Sequence, residues 1–278
     1  MRTINCKGSL IDFQQAKVMG ILNVTPDSFF DGGRYKNEKD LLQQTEKMLL
    51  EGATFIDVGG YSSRPGAIHI SEEEELSRVL PVISLLLKNF PDILLSIDTF
   101  RSRIAEKSIE HGAAIINDIS AGQMDENMFD TIAKLQVPYI IMHMKGTPQN
   151  MQCNPQYHNV TLELISYFAD LRFQLQAKKI NDLIIDVGFG FGKTHAHNFE
   201  LLNNLKLFQE LDVPVLAGLS RKSMLYKTLN ITPQDALNST TVANTIALMN
   251  GANILRVHDA KEAVEAVAIF NEIEKSSC

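Results

Sequence analysis

Eight short apolar runs, each ending on polar side chains, constrain the fold of this chain more than any other feature. The runs before Asp98 and Asp186, for example, are rich in isoleucine, which is typical of parallel strands buried on both faces. Parallel strands end at one edge of a sheet, so the polar residues that follow them are expected to meet there. These residues are Asn23, Asp57, Asp98, Asn117 with Asp118, His143, Asp186, Ser220 to Lys222, and Arg256 with His258.

Helical periodicity fills the segments between the runs. The clearest case is 71–89, where Ser71 and Glu74 have the spacing of a capping box. The acidic run from Glu72 to Glu75 is explained as a complement to the positive end of the helix dipole. Helices are predicted at 37–51, 71–89, 101–111, 125–136, 158–178, 198–210, 221–229, 234–250 and 259–275.

Eightfold alternation of strand and helix predicts an α/β fold, a (β/α)8 TIM barrel rather than an open doubly wound sheet. Residues 2–15, with Gly8 and Ser9 between two short strands, are expected to form an N-terminal β-hairpin at the barrel bottom. Two helices before the last strand indicate one extra helix. With 278 residues and no long flexible linker, we expect a single domain over 1–278. Its chemistry is expected on the long loops at 24–36, 60–70 and 143–157.

Composition excludes several classes of protein. Hydrophobic residues at 45% and charged residues at 21% are ordinary for a globular protein, and no run approaches the roughly 20 apolar residues of a membrane span. Cys6, Cys153 and Cys278 fit neither a disulfide framework nor a zinc site. Together with the absence of a signal-peptide core, this predicts a cytoplasmic protein. A net charge of -7 argues against nucleic acid as a partner.

Cationic side chains nevertheless collect near the strand ends, and this predicts an anionic ligand. The segment from Gly218 to Ser223 leads into a helix whose first N–H groups favour a carboxylate or phosphate. Arg256 and His258 alternate toward one side of the last strand and together can hold a phosphate-type anion. The cations concerned are Arg64, Lys193, Arg221, Lys222 and Arg256.

Three of the polar strand ends suggest a second kind of ligand. Asp98, Asn117 or Asp186 alone could simply cap the helix that follows it. Together in a barrel mouth, two carboxylates and an amide can pair with a flat heterocycle that carries an amino group and a ring N–H.

The glycine-rich segment after Asp186 is open to two interpretations. A nucleotide-binding Walker loop would need glycine at position 187, where valine stands, so alternate glycines at 188–192 are better explained by a tight turn or close approach to a ligand. At least one of Phe189 and Phe191 is expected in the core. His195 and His197 lack a third metal ligand nearby, which favours a structural role.

Taken together, these motifs resemble the dihydropteroate synthase family of pterin-binding enzymes over nearly the whole chain. Eight motifs occur in the family's order. They are Asn23 to Phe29, Ser63 to Gly66, Ser96 to Thr99, Ile116 to Asp118, Met142 to Met144, Gly188 to Lys193, Ser220 to Ser223 and Arg256 to Asp259.

The resemblance implies transfer of a dihydropterin-methyl group from its diphosphate to 4-aminobenzoate, with Mg²⁺ as cofactor, small molecules as partners, and a homodimer formed through the late helices. It also implies a role for each matching residue. Catalytic roles fall to Asp98, Lys222 and Arg256; pterin contacts to Asp98, Asn117, Met142, Asp186, Phe191, Lys222 and Arg256; diphosphate contacts to Asn23, Ser63, Arg256 and His258; aminobenzoate contacts to Phe29, Arg64, Pro65, Phe191, Lys222 and Ser223; and the metal to Asn23.

Three positions depart from the family pattern. Ser63 replaces the usual threonine, Val187 a common proline, and Phe30 a small polar residue, which bears on the shape of the aminobenzoate pocket. Two rival functions stay open at this point. One is a corrinoid methyltransferase that uses methyltetrahydrofolate, which would have no use for the anion-binding segments; the other is a catalytically silent pterin-binding barrel.

Overall fold

The structure is a computed structural model that describes residues 2–24, 38–62, 69–148, 150–151 and 154–276. It begins with an antiparallel hairpin of β1 (Thr3–Cys6) and β2 (Ser9–Asp12). The turn lies at Lys7 and Gly8, both with positive φ, one residue earlier than predicted, because Ser9 already pairs with Cys6.

The next eight strands form a closed parallel barrel, which confirms the predicted fold class. Each strand pairs with its neighbour in sequence, and the last closes onto the first, in the order β10-β3-β4-β5-β6-β7-β8-β9. The strands are β3 (Lys17–Asn23), β4 (Phe55–Gly59), β5 (Leu94–Asp98), β6 (Ile115–Asp118), β7 (Tyr139–Met142), β8 (Leu183–Asp186), β9 (Val215–Ala217) and β10 (Ile254–Val257).

Helices follow the strands and cover the outside of the barrel. Two of them stand between β9 and β10, so the predicted extra helix is confirmed. None of the described helices is both long and apolar enough to cross a membrane. The helices are α1 (Glu38–Leu50), α2 (Glu72–Asn89), α3 (Ser102–Glu110), α4 (Met128–Leu135), α5 (Val160–Ala177), α6 (His195–Asn203), α7 (Ser223–Leu229), α8 (Leu237–Met249) and α9 (Ala260–Ser276).

Two local predictions need correction. The helix predicted at 198–210 is split: α6 ends at Asn203 and a 3₁₀ helix spans Leu205–Leu211. The capping box of α2 is only half formed. Ser71 accepts a hydrogen bond from the Glu74 N–H, but the Glu74 carboxylate pairs with Arg78 one turn further along.

The described residues form three apolar clusters, and alternation along the strands separates two of them. Outward-facing residues such as Ile56, Ile97 and Ile185 pack against the helices in the larger core. Residues that face into the lower barrel form a separate cluster, which the hairpin closes with Ile4, Cys6 and Phe13, as predicted for the barrel bottom. The strand residues of this lower cluster are Met19, Phe55, Ile115, Ile140, Ile184, Leu216 and Ile254.

Candidate active site

Strand register brings the predicted polar residues to one end of the barrel. Gly59 pairs with Asn23 on one side and with Asp98 on the other, and Asp98 pairs with Asn117. Further round the barrel, Met142 pairs with Asp186. Residues that lie many positions apart in the chain therefore stand at similar heights around one mouth.

Arg256 connects two carboxylates across this mouth. Its Nε donates to Oδ2 of Asp57 at 2.7 Å, and its Nη2 donates to Oδ2 of Asp98 at 2.8 Å. Asn117 Nδ2 donates to the same Asp57 oxygen at 3.1 Å. Asp98, Asn117 and Arg256, which the sequence predicts to act together, thus belong to one hydrogen-bond network.

Asp57 is the centre of that network, although the sequence analysis gave it no role. Its side chain is 0% exposed, and its second oxygen accepts from Ser96 Oγ at 2.6 Å. A usable signal was present, because Asp57 ends an apolar run and lies two residues after Phe55, on the same inward face of β4.

Asp57 and Asp98 share one guanidinium here, and the pKa of Asp98 reflects this arrangement. Burial raises the pKa of Asp98 above its usual range, Arg256 opposes that rise, and repulsion from Asp57 adds to it. Burial lowers the pKa of Arg256, but attraction to the two carboxylates raises it more, so the pKa is raised overall. Because the guanidinium stays charged, a change of protonation in this group falls on a carboxylate.

Gly59 and Gly218 have no side chain beside the predicted pterin ligands, and the space next to these two glycines is the recess of the mouth. A Cβ at Gly59 would lie 3.8 Å from Oδ2 of Asp98, and one at Gly218 would lie 3.7 Å from Oδ2 of Asp186. The other oxygen of Asp186 accepts from the Gly188 N–H at 2.7 Å. The backbone thus leaves room next to both carboxylates.

Lys222 interacts electrostatically with both Asp98 and Asp186, and burial shifts its pKa. A Cβ at Gly190 would lie 3.8 Å from its Nζ, which stands 4.4 Å from the centre of the Phe191 ring. Burial lowers the pKa of Lys222 to about 8, partly opposed by attraction to Asp186. Phe191 is half-buried while Phe189 lies in the core, so the prediction that at least one of them is core is confirmed.

The glycine-rich turn at 188–192 packs closely against another part of the chain. It does not only leave space for a ligand. Gly188, Gly190 and Gly192 all have positive φ. A Cβ at Gly188 would lie 2.1 Å from the His143 carbonyl oxygen, and one at Gly192 would lie 2.6 Å from that of Lys145. The glycines therefore let this turn pack against the loop after β7.

Two cations predicted to face an anion are instead bound to other groups of the protein. Arg221 makes two hydrogen bonds of 2.9 Å with the Asp259 carboxylate. Lys193 is buried and donates to the carbonyls of His143 and Phe191 at 3.1 and 3.0 Å. Burial lowers the pKa of Lys193 to about 7, and that of its neighbour His143 to about 3.

The two histidines of the H-x-H pair have structural roles, as predicted. His197 and Thr194 form a reciprocal capping box at the start of α6, and His195 Nε2 lies 2.9 Å from Thr228 Oγ1.

Asn23 and His258 line a common cavity of about 400 Å³ beside α1. His258 Nδ1 is 3.0 Å from Ser220 Oγ, so the last strand and the loop after β9 meet at this cavity. Ser223 is exposed and begins α7. The sites predicted at Phe29, Ser63, Arg64 and Pro65, and the departure noted at Phe30, lie outside the described residues.

Comparison with known proteins gives one consistent result. Residues 19–258 match a family model described as "Pterin binding enzyme". The dihydropteroate synthase of Escherichia coli K12 is 42% identical over 265 residues, which cover 95% of this chain and 93% of the relative.

Solved structures agree. A Yersinia pestis dihydropteroate synthase with a sulfonamide drug complex has a TM-score of 0.93 and 42% identity, covering 98% of this chain and 99% of that one. A Xanthomonas albilineans dihydropteroate synthase with 4-aminobenzoic acid has a TM-score of 0.90 and 37% identity, covering 98% of both chains. Barrel, mouth and likeness lead to the same conclusion: this chain belongs to the pterin-binding enzymes and, among them, to the dihydropteroate synthases, transferases of folate synthesis.

Proposed function

We propose that this protein transfers the dihydropterin-methyl group of 6-hydroxymethyl-7,8-dihydropterin diphosphate to the amine of 4-aminobenzoate and releases diphosphate. The observation that carries the proposal is the convergence of Asp98, Asn117, Asp186, Lys222 and Arg256 on one barrel mouth. Asp98 and Arg256 belong to the network centred on Asp57, and Asp186 interacts electrostatically with Lys222.

The pterin is assigned to the recess beside the glycines. A flat bicyclic ring fits where side chains are absent at Gly59 and Gly218, and its amino group and ring N–H would donate to the carboxylates of Asp98 and Asp186. Lys222 and Phe191 lie beside the recess and Met142 is buried at the mouth. Each hydrogen bond to a charged partner is worth about 1.5 to 3 kcal/mol, so the ring edge gives both affinity and orientation.

The diphosphate is assigned to the side of the mouth where Asn23, Arg256 and His258 lie. The amide oxygen of Asn23, which lines the same cavity as His258, suits Mg²⁺. Hard oxygen ligands are what this ion prefers, and it usually binds through one or two protein groups plus substrate phosphates. Among the described residues, no group of three or more acidic, histidine or cysteine side chains forms a cage for a metal.

The proposed mechanism needs no protein nucleophile. The bond between the pterin methylene carbon and the diphosphate oxygen breaks, and its electron pair leaves with the diphosphate. Asp98, as a carboxylate, stabilises the positive charge left on the methylene and ring, while Arg256 interacts with the departing anion. The amine nitrogen then bonds to the methylene carbon and releases a proton to the solvent. When bound, Mg²⁺ would neutralise negative charge on the leaving diphosphate.

The aminobenzoate is assigned to the start of α7 by family resemblance. Ser223 and Lys222 would receive its carboxylate, and Phe191 would contact its ring. Phe29, Ser63, Arg64 and Pro65 complete the predicted contacts from the sequence alone. The complex of the Xanthomonas albilineans relative with 4-aminobenzoic acid supports this substrate.

A product assay tests the proposal directly. The full chain is incubated with the dihydropterin diphosphate, 4-aminobenzoate and Mg²⁺, and diphosphate and dihydropteroate are measured. Formation of both in equal amounts, and loss of both when a chelator removes Mg²⁺, is the expected result.

The same assay separates the rival functions. Pterin binding without product would indicate the silent barrel. Methyl transfer from methyltetrahydrofolate to a corrinoid, with no dihydropteroate formed, would indicate the methyltransferase.

A homodimer in the cytoplasm is part of the proposal. Val242, Ile246 and Met249 are exposed along one face of α8, and Ile269 and Ile273 along one face of α9. Apolar faces of this kind suit burial against a second copy of the chain. Light scattering would give twice the mass of the chain if α8 and α9 form the interface, and Ile246→Glu would reduce it to the monomer mass.

A further inference from the structure

Glu75 is a buried carboxylate that the site described above does not include. Its side chain is 0% exposed. Oε1 accepts a hydrogen bond from Thr99 Oγ1 at 2.7 Å, and Oε2 accepts from Arg101 Nη1 at 2.6 Å. Glu72 to Glu75 all lie in the first turn of α2, as the helix-dipole interpretation requires. That interpretation is incomplete for Glu75, which also turns inward from α2 to make these two bonds.

Both partners of Glu75 follow Asp98 closely in the chain. The Thr99 N–H donates to the carbonyl of Asn117 at 2.9 Å, and the Arg101 N–H donates to Thr99 Oγ1 at 3.2 Å. The segment after Asp98 is therefore held by β6 on one side and by α2 on the other. Since Asp98 is the last residue of β5, these bonds fix the position at which its side chain enters the mouth.

The first turn of α2 is itself fixed against the end of β4. Arg78 Nη1 donates to the Gly60 carbonyl at 3.1 Å. A Cβ at Gly60 would lie 2.6 Å from Val79 Cγ2 and 3.3 Å from Glu75 Cγ. Gly60 follows Gly59, the register partner of Asp98. Glu75 thus lies on the α2 side of Asp98, and the backbone at Gly60 next to it has little room to shift.

Arg101 is held on several sides, so its charge stays next to Glu75. Its guanidinium donates to the carbonyls of Ser71 and Ile70 at 3.1 and 2.6 Å. The same group lies 5.5 Å from the centre of the Tyr61 ring and 5.2 Å from that of Phe100. Removal of either member of a buried ion pair leaves the other charge without a partner.

We propose that Glu75 is a positioning residue of the transfer reaction, which, through Thr99 and balanced by Arg101, holds Asp98 in its place beside Arg256. The inference rests on the proposed function, because it takes Asp98 as the carboxylate that stabilises the pterin cation.

Glu75 also contributes to the charge around Asp98. The charged groups that face Asp98 are Arg256 from β10, Asp57 from β4, Glu75 from α2, Asp118 from β6 and Lys222 from the loop after β9. Of these, Glu75 is one that raises the pKa of Asp98. Loss of its negative charge should keep Asp98 ionised to a lower pH.

The test compares Glu75→Gln with Glu73→Gln in the full chain. Glutamine at 75 keeps an oxygen that can accept from Thr99 but removes the charge. Glu73 belongs to the same acidic run and pairs with the exposed Arg103, its own side chain 73% exposed, so Glu73→Gln is a matched control.

For Glu75→Gln we expect the acid limb of the profile of kcat against pH to move to lower pH by roughly half a unit or more. At its optimum, kcat should fall by about tenfold, because a small displacement of a charged group is costly in catalysis. Glu73→Gln should match the unaltered protein in both respects.

A Glu75→Gln profile that superimposes on that of the control would overturn the inference and leave the proposed function intact. An unaltered protein that forms no product at any pH would overturn the proposed function, and with it the role of Asp98.

Thr99 provides a second test that does not depend on the folding of Glu75→Gln. Thr99→Val has nearly the same shape but no hydroxyl to donate to Glu75, whereas Thr99→Ser keeps the hydroxyl. We expect kcat to fall by about tenfold in Thr99→Val and to recover in Thr99→Ser. Equal turnover of the two variants would show that the bond to Glu75 does not position Asp98.

Discussion

Two layers of the barrel interior, two residues apart on the same strands, differ completely in chemistry. In the lower layer, Phe55, Ile115 and Ile184 pack against the N-terminal hairpin. In the upper layer, Asp57, Asn117 and Asp186 occupy the equivalent positions two residues later. One step of two residues along a strand, roughly 6.6 Å, separates an apolar plug from a cluster of buried charge.

The difference indicates which layer serves stability and which serves chemistry. Apolar side chains lose no hydrogen bonds to water when they are buried in the lower layer, so they need no polar partners there. In the upper layer, burial opposes the charged forms of Asp98, Asp186 and Lys222. A fold alone needs no such arrangement, since buried ion pairs are often replaceable by apolar groups. The proposed reaction therefore explains the upper layer, and the barrel alone does not.

The largest effect should come from removal of the cation that the upper layer shares. Arg256→Met leaves Asp57 and Asp98 facing each other without compensation, and we expect the free energy of unfolding at pH 8 to fall by about 3 to 5 kcal/mol. Denaturant unfolding measures it. The loss should shrink at pH 5, where a carboxylate can take up a proton. Arg103→Met, at an exposed pair with Glu72 and Glu73, is the control, and an equally small loss in both variants would contradict the comparison.

The next effect concerns turnover. Asp98→Asn keeps the shape but removes the charge that the proposed mechanism uses to stabilise the pterin cation, and we expect kcat to fall by roughly 10²- to 10³-fold, while the pterin still binds. Steady-state kinetics and pterin fluorescence measure the two quantities. Asp182→Asn, at the opposite end of β8, should leave both unchanged. Near-normal turnover in Asp98→Asn would exclude Asp98 from this role.

A smaller effect is expected from pH. In the proposed mechanism Asp98 must be ionised to act, and its pKa is raised. We therefore expect kcat to fall about tenfold for each unit of pH below that pKa, starting well above the usual range of aspartate near 4.

Stability should respond to this group in the opposite direction. The folded protein holds a proton that the unfolded chain releases, so the contribution of Asp98 to stability decreases as pH rises through that window. In Asp98→Asn this part of the slope should be absent; an unchanged slope would argue against the shifted pKa.

The smallest effect belongs to the lower layer. Ile184→Val removes one methylene group from the plug, and we expect a loss of about 0.5 to 1.5 kcal/mol in stability with kcat unchanged. A clear change in kcat would mean that the two layers are mechanically coupled.

Much of this contrast was predictable from sequence because it depends on local pattern. Apolar runs located all eight barrel strands. Helical periodicity located the helices to within a few residues, except at 198–210, where α6 ends at Asn203. Asn23, Asp98, Asn117, Asp186 and Arg256 follow or end those runs, so their meeting at one mouth follows from parallel topology alone.

What the sequence did not predict depends on partners far apart in the chain. Asp57 is central only because Asn117 and Arg256 reach it from other strands. Glu75 differs from its acidic neighbours only because Thr99 and Arg101 fold back onto α2. Arg221 looked like an anion ligand until Asp259 was found beside it. No periodicity records these pairings.

The recess at the mouth exists because Gly59 and Gly218 have no side chains, and this affects which ligands can bind there. Unlike Gly190, neither Gly59 nor Gly218 has a positive φ, and an added methyl at either would meet only ordinary contacts. Alanine is thus compatible with the backbone at both positions. The added methyl group would first affect the binding of a ring in the recess. Tolerance for bulkier or slimmer heterocycles, including inhibitors, can therefore be tuned one carbon at a time without rebuilding the scaffold.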